Sequence, residues 1–373
     1  MTIQSLNSRI FYDTFVAATT YFERHIDAIN DLNVFPVPDG DTGTNMYQTL
    51  SGIKNRVSYE DTYSVQHLSK LLSDAALWEG RGNSGIILSQ IFKGIHLGLQ
   101  DKDLTTVNIV SSSLECAFNS AYASITNPTE GTILTVLRDI AEESGRQVRT
   151  ERTFSELLAA LSIKAKESVD STPNHLELLR DAGVVDSGAY GLEIFLRGIH
   201  LHLSGLDVEN VDIELRIPAK DGEGVQNLIK NHHATEEIYG YCTQFILKSS
   251  VEIEDLRELF VDLGLSLVVA GDSGIYRIHI HTEAPGDSIN VATTVGSISE
   301  VSIEDMERQS VAIMDAVRKE KVESENQNTV EPCAHIGFVA VATGLGIKQI
   351  FRENGALAII SGGDSMNPSV AEI

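Results

Sequence analysis

Asp39 and Asp41 flank a single glycine, and this pair of carboxylates is the most chemically specific feature of the chain. Pro36 and Pro38 fix φ ahead of the pair, while Gly40 and Gly43 open backbone conformations closed to other residues. Hard oxygen ligands on a stiff turn suit Mg2+, which takes one or two carboxylates and completes its shell with water and substrate phosphates. Thr42 and Thr44 add hydroxyls, and Thr44 with Asn45 can cap the amphipathic segment that follows, leaving N–H groups exposed at a helix start. An EF-hand loop needs Glu at its twelfth position. Counted from Asp39 that position is Leu50, so the calcium reading fails. A plain polar turn is the alternative for an isolated Asp-Gly-Asp.

A second small-residue cluster, Gly80, Gly82, Asn83, Ser84 and Gly85, precedes the apolar run Ile86 to Leu88. Small residues before a helix let its N-terminus approach an anion, and the helix dipole there favours negative charge. Ser84 can donate a hydroxyl, and Arg81 is the one cation close in sequence to either loop. The alternative is a helix start wedged between packed helices. Two such clusters in one chain favour a nucleotide. Neither is a Walker loop, and no Gly-x-Gly-x-x-Gly set occurs.

Composition narrows the partners. The chain has 53 acidic and 28 basic residues, a net charge of −25, which opposes nonspecific binding of nucleic acid or anionic lipid. Phosphates bound by such a chain need a local cation, as a metal-centred loop supplies. Three cysteines, odd in number and far apart, argue against a disulfide framework and for a reducing compartment. No signal peptide or membrane span is legible, so a cytoplasmic protein without direct membrane insertion is expected.

The elements that must hold these loops are helical over the first half. Residues 5–30 carry Leu6, Ile10, Phe15, Ala18, Phe22 and Ile26 on one stripe, and 64–78, 84–99, 105–124, 131–147, 154–169 and 187–203 show the same period. Glycines again precede a helix at 182–188, where Asp186 is a metal contact, a ribose contact or an N-cap. The texture changes after Leu206, and a linker is expected over 207–225. Residues 226–320 then read as a small α/β domain. Within it 239–247, 266–270 and 274–281 are predicted strands, and 253–263, 289–295 and 303–319 are predicted helices.

His279 and His281 lie two apart on a predicted strand, so both imidazoles share a face. Cys242 lies on another. One Cys and two His offer three zinc ligands with a position left open, as a catalytic site requires. Two surface histidines and an unrelated cysteine would read the same. Residues 321–332 are polar and charged and are expected to link to 333–373, where 335–342 and 356–360 read as strands around a helix start at 344. Two strands cannot bury a parallel sheet, so 333–373 is expected to be the start of a truncated α/β domain.

In their order along the chain, residues 33–46, 82–85, 128–134 and 181–188 resemble the ATP-binding domain of dihydroxyacetone kinases, most nearly the branch carried by bacterial fatty acid kinase catalytic subunits. The resemblance covers nearly the whole chain. It implies an all-α barrel of eight antiparallel helices over 1–206, holding ATP and two Mg2+ at one end, followed by a small α/β middle domain and an α/β C-terminal segment. Carried over, Asp39 and Asp41 bridge the metals. Thr42, Gly43, Thr44, Asn45, Gly82, Asn83, Ser84, Gly85, Thr132, Gly183 and Asp186 form the nucleotide site. The dihydroxyacetone kinase branch has a third Asp five residues before this pair. Val34 stands there in this chain, and Asn33 is the nearest replacement. Cys242, His279 and His281 match middle-domain positions associated with activity, with Zn2+ as the candidate ion.

The resemblance implies phosphorylation of a fatty acid carboxylate, presented by a DegV-like fatty-acid-binding carrier, to an acyl phosphate for phospholipid synthesis. A kinase of glycerone or a small polyol is one alternative, and a non-catalytic nucleotide sensor is another. A homodimer stays open.

Overall fold

Helix α1 (Ser8–Glu23) begins where Asn7 accepts a hydrogen bond from Ile10 N, and it buries Phe15, Ala18 and Phe22 along the stripe read from the sequence. The computed structural model describes residues 5–102, 105–148, 153–211 and 240–308, with short pieces between 339 and 361. The single helix expected over 5–30 is broken after Glu23, and α2 (Ile26–Asn30) follows. The side chains at the break bond to other backbone groups. His25 Nδ1 donates to the Tyr21 carbonyl at 2.9 Å, and Arg24 reaches the carbonyls of Val208 and Val211.

Six long helices follow: α3 (Thr42–Arg56), α4 (Val65–Glu79), α5 (Gly82–Gly98), α6 (Val107–Ser124), α7 (Ile133–Val148) and α8 (Phe154–Ser171). The short α9 (Glu177–Ala182) leads to α10 (Ser187–Leu203). A capping box between Thr153 and Glu156 starts α8. Eight helices among the described residues run 15 residues or more. Each of these packs on the next along the chain, and α10 returns to both α8 and α1. One continuous core, from Phe22 and Met46 to Leu137 and Ile194, fills the space between them. No helix among the described residues is long and apolar enough to cross a membrane.

The following module reads β1 (Tyr241–Ser249), α11 (Ile253–Phe260), β2 (Leu265–Asp272), β3 (Ile275–Thr282), α12 (Pro285–Val295) and β4 (Gly296–Asp305). Its antiparallel sheet has the order β2-β3-β1-β4, a split β-α-β arrangement. Alternation sends Phe245, Leu247, Val269, Ile278 and Ile280 toward α11 and α12. The opposite face meets the helical domain. Val268 and Ala270 pack on Ile86 with Leu77 and Ile125, and Arg277 donates to the Trp78 carbonyl at 2.8 Å.

The helix expected over 303–319 is corrected in its first part. Residues 303–305 complete β4, which pairs with β1 from Gly296 opposite Ser249 to Asp305 opposite Tyr241. Two β-branched residues, Ile298 and Ile303, lie opposite Leu247 and Thr243, and a bulge between them hides the period of two from the sequence. Residues 309–319 and the expected linker at 321–332 lie outside the described residues, as do 212–239, which include most of the linker expected over 207–225. Residues 318–373 form a separate unit, in which β5 (Val339–Ala342) and β6 (Ala358–Ser361) pair in parallel.

Candidate active site

The first turns of α3, α5, α7 and α10 reach one cleft, and the face of the sheet opposite its helices forms the facing wall. Of the candidates read from the sequence, Asn33, Asp39, Asp41, Thr42, Asn45, Gly82, Asn83, Ser84, Thr132 and Asp186 line the helical side. Cys242, His279 and His281 line the sheet side. The space is about 1170 Å3, part of it open to solvent.

The metal loop is held from both ends. Asn33 donates its amide N–H to Asp39 Oδ1, and the Ser187 hydroxyl at the start of α10 donates to Asn33 Oδ1 at 3.4 Å. Asp39 and Asp41 are half-buried side by side. Burial first, and then the charge of Asp41, holds the Asp39 carboxyl well above the usual range. Asp41 is also raised by burial, and Glu304 across the cleft adds to the shift. Two carboxylates in this state are an unfilled electrostatic demand that a divalent cation satisfies. The Asn83 Oδ1 atom is buried close by with no protein partner, so the donor set fits Mg2+.

Four candidates are placed away from the cleft, which corrects the expected phosphate loop. Asn30 Oδ1 takes the amides of Gly43 and Thr44 at 2.7 and 3.2 Å, and Asn30 Nδ2 donates to Thr44 Oγ1 at 3.0 Å. The amides expected to be exposed at the start of α3 therefore bind α2. A Cβ on Gly43 would sit 2.4 Å from the Ile26 carbonyl oxygen, so close approach of α2 and α3 is what this glycine permits. A Cβ on Gly85 would meet Thr49 Oγ1 at 2.3 Å, which makes it a packing glycine between α5 and α3. Gly183, at φ 69°, is the left-handed cap that ends α9.

Asp186 is the N-cap of α10, accepting from Ala189 N at 2.7 Å and also from the backbone of Ile133 and Gly188. It thereby joins the starts of α7 and α10. Burial pushes its carboxyl up to about 7 against those hydrogen bonds.

On the sheet wall, pairing places Cys242 between His281 and Glu304, while Gln244 lies opposite His279. Cys242 Sγ is 3.7 Å from His279 Nδ1, and the His279 and His281 Nε2 atoms are 3.0 Å apart. One ligand atom from each of the three lies within 4.8 Å of the others. A tetrahedral zinc ion asks for ligand separations of roughly 3.5 Å. Burial drives His279 well below and His281 down to about 4, so both imidazoles are neutral, as metal ligation requires. The Cys242 thiol is pushed up by burial and then by Glu304, Asp39 and Asp41, which a bound cation would reverse. This donor set fits Zn2+.

Sequence reasoning missed Gln244, Ser266 and Glu304 on the sheet wall, and Asn127, Thr129 and Ser187 on the helical side. Gln244 shares the strand parity of Cys242, the one signal that could have found it. Among the described residues lining the cleft there is no lysine or arginine. Arg81 instead caps the start of α5, donating its backbone N–H to Thr49 Oγ1.

Comparison with known proteins agrees along the whole chain. Residues 36–201 match the DAK2 domain, 238–313 the middle domain of FakA-like fatty acid kinases, and 337–373 the C-terminal domain of the same proteins. An uncharacterized protein of Staphylococcus epidermidis is 35% identical over 381 residues, covering 100% of this chain and 68% of the relative. One from Staphylococcus aureus is 34% identical over 382 residues, covering 100% of this chain and 67% of the relative. The native dihydroxyacetone kinase of C. freundii overlaps 54% of this chain and 36% of its own, at 14% identity and a TM-score of 0.40, too low a likeness to carry an argument. The cleft and its domain make this a kinase that uses ATP. The chain belongs to the FakA-like fatty acid kinase family.

Proposed function

We propose that the chain transfers the γ-phosphoryl group of ATP to the carboxylate of a fatty acid, presented by a DegV-like fatty-acid-binding carrier. The product is an acyl phosphate for phospholipid synthesis. The observation that carries this reading is the pairing of Asp39 and Asp41 on one wall of a cleft with Cys242, His279 and His281 on the other. On this reading the eight long helices are the barrel of the resemblance, with the nucleotide at the end where α3, α5, α7 and α10 begin. The protein works in the cytoplasm.

Gly82, Asn83 and Ser84 at the start of α5 line the cleft, and their amides would bind the triphosphate, while those of Gly188 and Ala189 at the start of α10 are taken by Asp186. Asp39 and Asp41, with Asn33 fixing the first, would hold two Mg2+, which supply neutralisation of charge on the phosphates. Cys242, His279 and His281 would hold a Zn2+ facing the acceptor. One carboxylate oxygen of the fatty acid bonds to the γ-phosphorus as the bond from that phosphorus to the bridging oxygen breaks. ADP leaves with the electron pair. No general base is needed, because a carboxylic acid is already ionised at pH 7. The residues act by alignment and by excluding water.

The test is Mg2+-dependent formation of hydroxylamine-trapped acyl phosphate from ATP and palmitate loaded on a DegV-like carrier, with Asp41→Asn alongside. Product that requires carrier, lipid and Asp41 supports the kinase. ATP bound without turnover supports the sensor, and turnover of glycerone in place of the lipid supports the polyol kinase.

A further inference from the structure

Gln244 lies on the sheet wall between the chemistry already described and the apolar part of the cleft. It is 4% exposed, its Oε1 is buried, and among the described residues no group bonds either end of its amide. The amide nitrogen, unlike Oε1, is not fully buried, so its N–H groups are donors open to whatever enters the cleft. Strand parity puts Gln244 on the same face as Cys242, and register puts it directly opposite His279, whose other neighbour across the sheet is Val268. The row therefore runs from a free amide, past an imidazole, to an apolar side chain that packs with Ile125, and all four residues line the cleft. That sequence of chemistries matches a carboxylate followed by its first methylene groups.

The cleft's other features decide which ligand fits this row. The helix starts that favour phosphate are on the facing wall, and in-line transfer requires the acceptor to approach from the side opposite the leaving group. An acceptor carboxylate also enters a space already holding Asp39, Asp41 and Glu304, without a lysine or arginine among its described lining residues. A neutral N–H donor is the group that can bind it there at no further cost in charge.

We infer that Gln244 is the binding residue for the acceptor carboxylate, donating its amide N–H to the oxygen that does not attack, with the acyl chain leaving over Val268 and Ile125. The inference rests on the acyl kinase reading and names the acceptor subsite within it.

The experiment compares wild type, Gln244→Leu and Gln244→Glu in full chains, with palmitate loaded on the DegV-like carrier as acceptor. A hydrogen bond to a charged group sets the expected loss of kcat/KM for loaded carrier in Gln244→Leu at about 10- to 100-fold. Gln244→Glu, which adds a repelling charge, falls at least as far. The ATP Kd in Mg2+ and the Mg2+ concentration giving half-maximal rate both stay within about twofold. Unchanged kcat/KM in both variants overturns the inference. An ATP Kd that rises in step makes Gln244 a nucleotide residue, and a shifted Mg2+ requirement makes it a metal ligand. Either outcome also overturns it. Should Gln244→Leu lose its thermal transition, Gln244→Met keeps the chain length without the amide and serves the same comparison. Wild type that phosphorylates no carrier-bound lipid overturns the acyl kinase itself, a failure visible before any variant is read.

Discussion

His25 makes the stability of the metal loop depend on pH. Its ring is fully buried at the junction of α1 and α2, Nδ1 donates to the Tyr21 carbonyl, and Nε2 has no protein partner. Burial first, then the charges of Arg197 and Arg24, lowers its pKa from 6.5 to about 4. The native state therefore binds fewer protons than the unfolded chain between those values. Stability is complete above 6.5 and is lost as pH falls toward 4. The full difference corresponds to ~3 kcal/mol, of which about 2 kcal/mol is lost by pH 5. The same helix α2 ends in Asn30, which clamps the first turn of α3 beside Asp41. Urea unfolding followed by circular dichroism at pH 7 and pH 5 measures the effect in wild type and His25→Gln. At ~2 kcal/mol per molar urea, the wild-type midpoint falls by roughly 1 M more than the variant's. Parallel shifts in the two proteins would refute the assignment of this acid sensitivity to His25.

The remaining predictions concern the two walls of the cleft and one close contact. Asp41→Asn is expected to lower turnover by at least ~100-fold and yet to melt higher than wild type in EDTA, because it removes the charge that, after burial, most raises the Asp39 carboxyl, and one that burial and Glu304 already disfavour. Calorimetry in EDTA reads the second effect at about 2–4 °C per kcal/mol, and a lower melting point would contradict it. His281→Ala should reduce bound zinc, measured by mass spectrometry of the metal, from about one per chain to near zero; unchanged content would place the ion elsewhere. Gly43→Ala forces a Cβ to within 2.4 Å of the Ile26 carbonyl and should cost about 1–3 kcal/mol in urea unfolding, unless α2 can shift freely.

The helices were legible because each carries its own period. The expected stretch at 154–169 and α8 (Phe154–Ser171) share a start at a Thr153 capping box, and the expected stretch at 187–203 coincides with α10. The Asp39 and Asp41 pair was legible as a local turn, and His279 with His281 as a spacing of two. What sequence could not supply is which way an amide faces once a neighbouring helix arrives. Gly43 and Thr44 look like a phosphate loop, and only the approach of Asn30 from α2 takes their N–H groups away from the cleft. Gly183 reads like a ligand loop and is a helix terminator, because a glycine at a left-handed cap and a glycine beside a phosphate have the same local signature. Gln244 was legible only through its parity with Cys242, and Glu304 not at all, for a different reason. Their position depends on the register of β1 with β3 and β4, and the bulge in the β1 and β4 pairing breaks the alternation that would have announced it.

The charges around the cleft set a condition on nucleotide binding itself. Asp39, Asp41, Asp186 and Glu304 line it, and no lysine or arginine among the described residues does. Helix starts contribute about half a positive charge each, which orients an anion and falls short of offsetting the charge these carboxylates and a triphosphate carry together. One pair of like charges about 5 Å apart, at an effective dielectric of about 20, repels by ~3 kcal/mol, and each 1.4 kcal/mol is tenfold in affinity. A P-loop protein relieves this with its lysine. Here the divalent ion must do it, so the metal is needed for ATP to bind as well as to react. The ATP Kd in EDTA should therefore exceed that in millimolar Mg2+ by at least ~100-fold. Salt gives a sign test. Screening weakens repulsion, so added KCl should strengthen the metal-free binding, the reverse of what a lysine-lined site shows. Tight ATP binding in EDTA that weakens with KCl would mean that cations of the chain itself reach the phosphates, and the metal-centred account of the cleft would fail.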